Sequence, residues 1–335
     1  MIALRRLFPF AASLLLTSAS APGGEPGDFR PSLRAFSLEM QQLHNFSPAE
    51  LEYALGEASY RQDVIDAISR PAEAKPWYQY RRIFVTPSRA QAGAAYWQAN
   101  KESLSRAADQ YGVPPEIIVS IIGVETSYGR NTGKHRVVDA LSTLAFSYPK
   151  RADFFRRELE QFLLLSREEG IDSAQARGSY AGALGRPQFI PSSYRTYAVD
   201  FDGDGRRDLW ASDADAIGSV ASYLSRHGWQ RGGLIAVPAQ VEAPPPTHFK
   251  TAGMKPVFAV KELEAHGMRP GGTLNADTLV SIISLEKEDD EEYWLGLDNF
   301  YAITRYNQSS LYAMAVYQLS LEILALRQEP TGGRR

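Results

Sequence analysis

Glu125 stands at the end of a long apolar run, where an unpaired carboxylate is costly. Pro115 suits the first turn of a helix and Gly129 suits its end, and the residues between them are apolar on more than one face. Burial of the Glu125 charge costs several kcal/mol, so we expect a raised pKa. A carboxyl group that stays protonated near neutral pH is a general acid. The alternative is a structural salt bridge to Arg130 or Arg136.

A second informative segment is 178–194, which mixes glycines with aromatic, serine and glutamine residues and shows little periodicity. Glycine lets the backbone approach a ligand closely. Aromatic rings stack on sugar faces, while hydroxyl and amide groups donate and accept hydrogen bonds. This inventory fits a carbohydrate groove, although an ordinary glycine-rich turn has the same composition. Aromatic and amide residues cluster again in 293–307.

Alternating carboxylates at Asp200, Asp202 and Asp204 match the first half of an EF-hand calcium loop. Gly205 would make the sharp turn of such a loop. A solvated acidic turn is the alternative, but clustered carboxylates repel one another without a counter-ion. The sequence therefore predicts a site for calcium or a similar hard cation.

The second half of this loop departs from the EF-hand pattern. Arg206 would offer its backbone carbonyl, but the usual glutamate at position twelve is replaced by Ala211. Asp213 or Asp215 could close the site from a slightly longer loop.

The elements that must position these residues are mainly helical. Capping residues and 3.6-residue periodicity predict helices in 29–69, 86–104, 115–126, 137–146, 151–168, 214–227 and 312–326. The run 279–285 predicts a β-strand, and 80–85 could be extended. The fold class predicted is mainly α, of the α+β type. The predicted divisions are an α lobe at 29–99 with part of 146–175, a catalytic core at 100–230 containing the loop 200–215, a small β-containing lobe at 231–297, a return to the core at 298–327 and a tail at 328–335.

The first residues are predicted to be a secretory signal peptide, 1–21, followed by a linker, 22–28. Arg5 and Arg6 form a positive n-region, and the apolar run 7–16 is too short to span a bilayer. An uncleaved anchor is the alternative. The sequence has no cysteine, which excludes disulfides, thiol chemistry and lipid attachment through cysteine. We expect a soluble exported protein without stable membrane insertion after cleavage.

Composition excludes several other classes of function. Loss of the two leader arginines takes the formal net charge from −3 to −5, whereas a nucleic-acid binder would show a basic stripe. The five histidines have no metal-ligand spacing, so we predict no zinc site. A glycine-rich phosphate loop is also lacking, and we predict no organic cofactor. The hydrophobic fraction of 44% suffices for a sizeable core.

Five ordered motifs together resemble the type B family of lytic murein transglycosylases. They are the G-V-E-T-S-Y-G sequence at 123–129, A-L-S-T-L at 140–144, the segment 178–194, the Asp200 loop, and I-T-R-Y-N at 303–307. The likeness covers the chain from about residue 80 to residue 326. It implies a goose-lysozyme-like helical core with an α lobe, a small inserted β-containing lobe and an EF-hand-like metal site.

The resemblance also implies an activity and a set of residues. The family cleaves the β-1,4 bond between N-acetylmuramic acid and N-acetylglucosamine and leaves a 1,6-anhydro-muramic acid end. Glu125 matches its single catalytic carboxylate. The implied groove residues are Ser179, Gln188, Tyr223, Tyr306, Asn307 and Tyr312. The implied ligands of a structural Ca²⁺ are Asp200, Asp202, Asp204, the carbonyl of Arg206, and Asp215.

Partners and location follow from the same resemblance. The implied partner is the glycan strand of peptidoglycan, with other cell-wall enzymes as further candidates. Some relatives carry a lipid-attached cysteine that this sequence lacks, which favours a soluble periplasmic form.

A single catalytic carboxylate agrees with the residues themselves. Most glycosidases pair two carboxylates across the bond, whereas the Glu125 helix and the segment 178–194 contain no acidic partner for it. Glu125 would therefore act first as acid and then as base. Two alternatives remain, a lysozyme-type muramidase and a non-catalytic, calcium-dependent peptidoglycan-binding protein. A calcium sensor is disfavoured because only one loop is present.

Overall fold

The computed structural model describes residues 26–70 and 74–328. The predicted signal peptide, 1–21, and nearly all of the predicted tail, 328–335, lie outside these residues. The architecture is the predicted one, a mainly helical α+β fold with one small antiparallel sheet. The first helix already begins at Pro26, within the segment predicted to be a linker, 22–28.

The helices of the described residues, in chain order, are α1 (Pro26–His44), α2 (Pro48–Leu55), α3 (Gln62–Ile68), α4 (Trp77–Phe84), α5 (Pro87–Ala99), α6 (Lys101–Tyr111), α7 (Pro115–Thr126), α8 (Val137–Ser147), α9 (Ala152–Glu169), α10 (Pro191–Tyr197), α11 (Asp213–Arg226), α12 (Thr247–Thr251), α13 (Val260–Glu264), α14 (Asp298–Tyr306) and α15 (Ser310–Gln328). The strands are β1 (His135–Arg136), β2 (Arg177–Gly178), β3 (Ala236–Val241), β4 (Phe258–Ala259), β5 (Met268–Pro270), β6 (Leu279–Glu286) and β7 (Glu291–Gly296). A short 3₁₀ turn, Pro149–Arg151, precedes α9.

One predicted element is wrong. The run 80–85 was expected to be extended, but 77–84 forms α4. Aromatic residues have high β-propensity, which is easily overridden by packing. Here Trp77 and Tyr80 are buried three positions apart, and the ring of Tyr80 lies 4.8 Å from that of Phe84, four positions on. This spacing is helical, so burial of one aromatic face decides the structure.

The helices of the predicted α lobe, 29–99 with part of 146–175, fall into two groups by their contacts. Helices α1 and α3 pack against α8, which packs against α9, so the α lobe combines 26–68 with 137–169. Helices α4 and α5 instead pack against α15, and α5 also contacts α7. The chain therefore enters the core at α4 rather than near residue 100.

The small lobe lies between α11 and α14, within the predicted range 231–297. Its five strands have the order β4-β6-β7-β3-β5, and every neighbouring pair is antiparallel. Strand β6 is the predicted β run. Its side chains alternate between two cores, as the two-residue period of a strand requires: Val280 and Ile282 join the core of the lobe, while Ile283 and Leu285 join that of the helical body. Strand β6 therefore packs the small lobe against the helical body.

Helix α15 returns the chain to the body and packs against α4, α5, α7 and α14. Within 26–70 and 74–328, no single helix is both long enough and apolar enough to cross a membrane. Helices α14 and α15, which meet at an angle of 111°, reach that length and apolarity only when taken together.

Candidate active site and cation loop

Glu125 lies in the last turn of α7, and the residues around it in this helix are almost all buried. The Glu125 side chain itself is half-buried. Pro115 occupies the first turn, as predicted. The helix ends at Thr126, before the predicted stop at Gly129, because Ser127 and Tyr128 take left-handed conformations with φ of 52° and 64°. Residues other than glycine rarely adopt this conformation, so the chain turns abruptly right after Glu125.

A set of contacts that the sequence analysis missed holds this end of α7. The Arg89 guanidinium donates to the Gly123 carbonyl at 2.7 Å, and the Tyr128 hydroxyl donates to the Arg89 carbonyl at 2.8 Å. A methyl group on Gly123 would lie 2.6 Å from the Tyr128 hydroxyl oxygen. Thr126 donates to the Arg186 carbonyl at 2.8 Å. Burial lowers the pKa of Arg89. The carbonyls of a helix end need such donors, but no sequence pattern marks Arg89 as one.

The carboxylate of Glu125 accepts a hydrogen bond from the Tyr312 hydroxyl, at 2.6 Å from Oε1. The ring of Tyr306 stacks on that of Tyr312, with centroids 6.3 Å apart and planes 10° apart. Burial, together with the nearby Glu125 charge, raises the pKa of both tyrosines well above the usual value. Both hydroxyls therefore remain donors across the physiological pH range.

An aromatic cluster extends from this pair. The Tyr306 ring lies 4.8 Å from Tyr223 and 5.7 Å from Phe189, which are themselves 5.5 Å apart. The Tyr306 hydroxyl donates to the Pro187 carbonyl at 2.6 Å, and the Tyr223 hydroxyl donates to the Arg305 carbonyl at 2.5 Å. Burial raises the pKa of Tyr223 as well. The structure thus connects Glu125, three of the predicted groove tyrosines and the segment around residue 188.

The remaining predicted groove residues lie in turns next to this cluster or in the same glycine-rich segment. Gln188, between two residues that contact Tyr306, has a φ of 52° and donates to the Thr132 carbonyl at 3.1 Å. The Ser179 hydroxyl accepts the Ala183 backbone N–H at 3.0 Å. Ser179 therefore shapes its own turn, whereas Gln188 connects its turn to the loop that follows α7. The third residue, at position 307, follows α14 at the bend into α15.

The two arginines proposed as salt-bridge partners of Glu125 have other contacts. The guanidinium of Arg130 donates to the Ser127 carbonyl at 3.0 Å. Arg136 lies 3.8 Å from the buried carboxylate of Asp139. The hydrogen bond of Glu125 to Tyr312 comes instead from a helix far away in the sequence.

The cation loop gathers the three carboxylates of Asp200, Asp202 and Asp204. An oxygen from each lies within 4.8 Å of the others, and all three residues are exposed. Gly203 and Gly205 have φ of 82° and 91°, values suited to glycine. Carboxylate oxygens are the ligands that Ca²⁺ prefers, so this donor set fits a hard divalent cation.

The two aspartates that could close the loop have different surroundings. Asp215 is fully buried, and its two oxygens accept the backbone N–H groups of Phe201 and Asp208 at 2.7 Å each. Burial raises the pKa of Asp215, and these hydrogen bonds oppose that rise. Asp213 instead accepts from the Tyr96 hydroxyl at 2.8 Å and pairs with Arg186 at 3.3 Å. Only Asp215 contacts the backbone of the acidic turn.

The fold is that of lysozyme-like lytic transglycosylases, and comparisons with known proteins show the family. The model of the family described as "Transglycosylase SLT domain" matches residues 28–321. The membrane-bound lytic murein transglycosylase B of Escherichia coli is 44% identical over 314 residues, which cover 90% of this chain and 85% of that protein. The chain therefore belongs to this transglycosylase family.

Solved structures show the same fold. Lytic transglycosylase SltB1 from Pseudomonas aeruginosa, solved as a catenated form, is 49% identical, with a TM-score of 0.82 over 89% of this chain and 98% of that one. The Escherichia coli lytic transglycosylase Slt35 in complex with calcium is 42% identical, with a TM-score of 0.81 over 91% of this chain and 96% of that one.

Proposed function

We propose that this member of the family is a peptidoglycan lytic transglycosylase in which Glu125 is the one carboxyl group that moves protons. The enzyme cleaves the β-1,4 bond between N-acetylmuramic acid and N-acetylglucosamine without consuming water. The observation that carries this assignment is the 2.6 Å hydrogen bond from Tyr312 to Oε1 of Glu125, at the end of a buried helix beside an aromatic cluster.

The reaction needs two proton transfers at one site. Glu125 first gives its proton to the glycosidic oxygen as the bond to C1 of muramic acid breaks, and the N-acetyl group of the substrate stabilises the positive C1. The ionised Glu125 then removes the proton from the C6 hydroxyl as that oxygen attacks C1. The 1,6-anhydro ring closes and Glu125 is protonated again. Intramolecular attack competes with water because an oriented group has a large effective molarity.

The groove would hold the glycan during this exchange. The aromatic faces of Tyr223 and Tyr306 suit sugar rings, and Ser179, Gln188 and Asn307 would contribute hydroxyl and amide groups to the glycan. Tyr312 would hold Oε1, so that the second oxygen of Glu125 meets the glycosidic bond.

We also propose a structural Ca²⁺ held by Asp200, Asp202, Asp204, the Arg206 carbonyl and Asp215. The proximity of the first three carboxylates supports it, and Slt35, a relative of similar fold, is known in complex with calcium. When bound, the ion neutralises clustered charge and stabilises the folded state.

The proposed place of action is the periplasm, where the soluble mature protein would meet peptidoglycan strands. The apolar leader, 1–21, supports export.

Mass spectrometry of the soluble products from purified murein sacculi tests the proposal. Anhydro-muropeptides are expected. Products heavier by one water would identify a lysozyme-type muramidase instead. If the protein pulled down with insoluble glycan but released nothing in the presence of calcium, it would be a binding protein.

A further inference from the structure

The turn that follows Glu125 is held by Arg186, a residue of the segment 178–194. The Arg186 carbonyl accepts the Thr126 hydroxyl at 2.8 Å, and the oxygen of that hydroxyl accepts the Gly129 backbone N–H at 3.0 Å. The Arg186 guanidinium lies so close to Gly129 that a side chain there would have no room. Glu125 directly precedes this turn, so its position depends on these contacts.

The Arg186 guanidinium is itself held by the start of α11. Its Nε lies 3.3 Å from Oδ1 of Asp213, and Nη2 donates to the Ala211 carbonyl at 3.2 Å. The Arg186 side chain is only 20% exposed, and a charged group that is largely removed from water needs a partner of opposite charge. Without Asp213 the guanidinium would turn towards water and leave its place against Gly129.

Asp213 also connects to the other side of the same turn. The Tyr96 hydroxyl donates to Oδ1 of Asp213 at 2.8 Å, and the Tyr96 ring stacks on that of Tyr128, with centroids 5.5 Å apart and planes 30° apart. Burial, together with the nearby Asp213 charge, raises the pKa of Tyr96 well above its usual value. The Tyr96 hydroxyl therefore stays a donor across the physiological pH range.

These contacts form a closed path around the end of α7. From Thr126 the path runs through Arg186, Asp213 and Tyr96, and it returns to the chain at Tyr128, two positions further on. Asp213 was one of two aspartates that could close the cation loop. Its Oδ1 is instead engaged by Tyr96 and Arg186.

We propose that Asp213 and Arg186 are a positioning pair for Glu125. The pair fixes the turn after Glu125, so that the carboxyl group stays within reach of the glycosidic oxygen and the C6 hydroxyl. The proposal rests on the function proposed above, and it assigns Asp213 to the catalytic end of α7 rather than to the cation. Loss of the pair should slow the proton transfers without weakening the binding of glycan.

A double-mutant cycle on soluble, uncross-linked murein glycan tests the pair. R186M and D213N are each expected to lower kcat about tenfold or more with KM unchanged, since a misplacement of about 1 Å can cost about a hundredfold in rate. The double variant R186M/D213N should be no slower than either single variant, because two residues that act through one contact are not additive.

The matched control is the ion pair between Arg156 and Glu39, which joins α9 to α1 and is of similar exposure. R156M and E39Q remove a comparable pair far from the Glu125 turn and should leave kcat unchanged. Losses that multiply in R186M/D213N would overturn the proposal, as would losses that fall on KM or occur equally in the control variants.

Two further measurements separate positioning from other roles. D213N should keep the rise in Tm that calcium causes in wild type, and loss of that rise would make Asp213 a ligand of the cation instead. Thermal melting also checks that each variant folds. Should D213N not fold, Y96F replaces it, since it removes the hydroxyl bonded to Asp213 but keeps the ring; an unchanged kcat in Y96F would then contradict the proposal. If wild type released no anhydro products, the proposed function would have failed, and this proposal with it.

Discussion

The two acidic sites of this protein are built in opposite ways. Glu125 is half-buried and receives its hydrogen bond from Tyr312, which lies 187 positions further along the chain. The carboxylates of the cation loop are exposed and are held by backbone N–H groups of the same loop. Gly203 and Gly205, for example, donate to Asp200 at 2.7 Å and 2.8 Å.

This difference shows how the surroundings of a carboxyl group determine what that group can do. In the proposed mechanism Glu125 must give and take a proton, so it needs neighbours that fix it without neutralising it, and the buried Tyr312 does so. Carboxylates that bind a cation need only be gathered at one point, which the backbone N–H groups of a short loop achieve. Four experiments test this comparison between the two sites.

The largest effect is expected from E125Q, because glutamine cannot exchange the proton in either step. Turnover should fall by about a thousandfold or more, while binding to insoluble glycan persists. Product release from sacculi measures the first quantity and pull-down measures the second. E116Q, at the opposite end of the same helix, is the matched control and should remain active. Full activity of E125Q would remove Glu125 from the mechanism.

Calcium should act on stability rather than on the proton transfers. Adding Ca²⁺ at about a hundredfold excess over its Kd should stabilise the chelated protein by about 2.7 kcal/mol, a rise in Tm of about 5 °C. Differential scanning calorimetry measures the shift, and D200N should abolish most of it. An unchanged Tm in wild type would count against the calcium site.

Y312F removes the hydroxyl that holds Glu125 but keeps the ring stacked on Tyr306. Activity is expected to fall about tenfold, the effect of one lost hydrogen bond to a charged group. Y317F is the control on the same helix, since its hydroxyl contacts the Ala236 carbonyl instead. Steady-state rates on murein distinguish them, and equal rates for the two variants would show that Tyr312 does not position Glu125.

The smallest effect is expected from S212A. Ser212 caps α11 by accepting the Asp215 backbone N–H at 3.1 Å, and its hydroxyl donates to Asp202 at 2.7 Å. Its loss should cost about 1 kcal/mol of unfolding free energy and weaken calcium binding. S47A, which removes a similar cap from α2, should cost as much in urea unfolding while leaving calcium titrations unchanged. If S212A and S47A weakened calcium binding equally, the cation loop would not hold its ion independently of the rest of the protein.

The same contrast explains which features could be predicted from the sequence. The limits of α11 to within a residue and the acidic turn depend on residues close together in the chain, and the structure shows both of them. The family resemblance supplied the fold and named Tyr306 and Tyr312 as groove residues. No local pattern, however, places Tyr312 on the carboxylate.

Other features could not be predicted because they depend on packing between distant segments. In the sequence Arg89 is an ordinary residue of a polar helix, yet its guanidinium donates a hydrogen bond to the Gly123 carbonyl at the end of α7. The run 80–85 has strand-forming residues, and only the burial of its aromatic face selects a helix. The divided α lobe likewise follows from which helices cover α8, which the order of elements does not reveal.

The position of α15 has a consequence for how the enzyme is made. A ribosome adding about 5–20 residues per second reaches Tyr312 about 10–40 s after Glu125, which lies 187 positions earlier. During that interval the carboxylate exists without its tyrosine partner, and α5 and α7 lack the helix that packs against both. The enzyme can therefore begin to cleave peptidoglycan only when almost the whole chain has been synthesised.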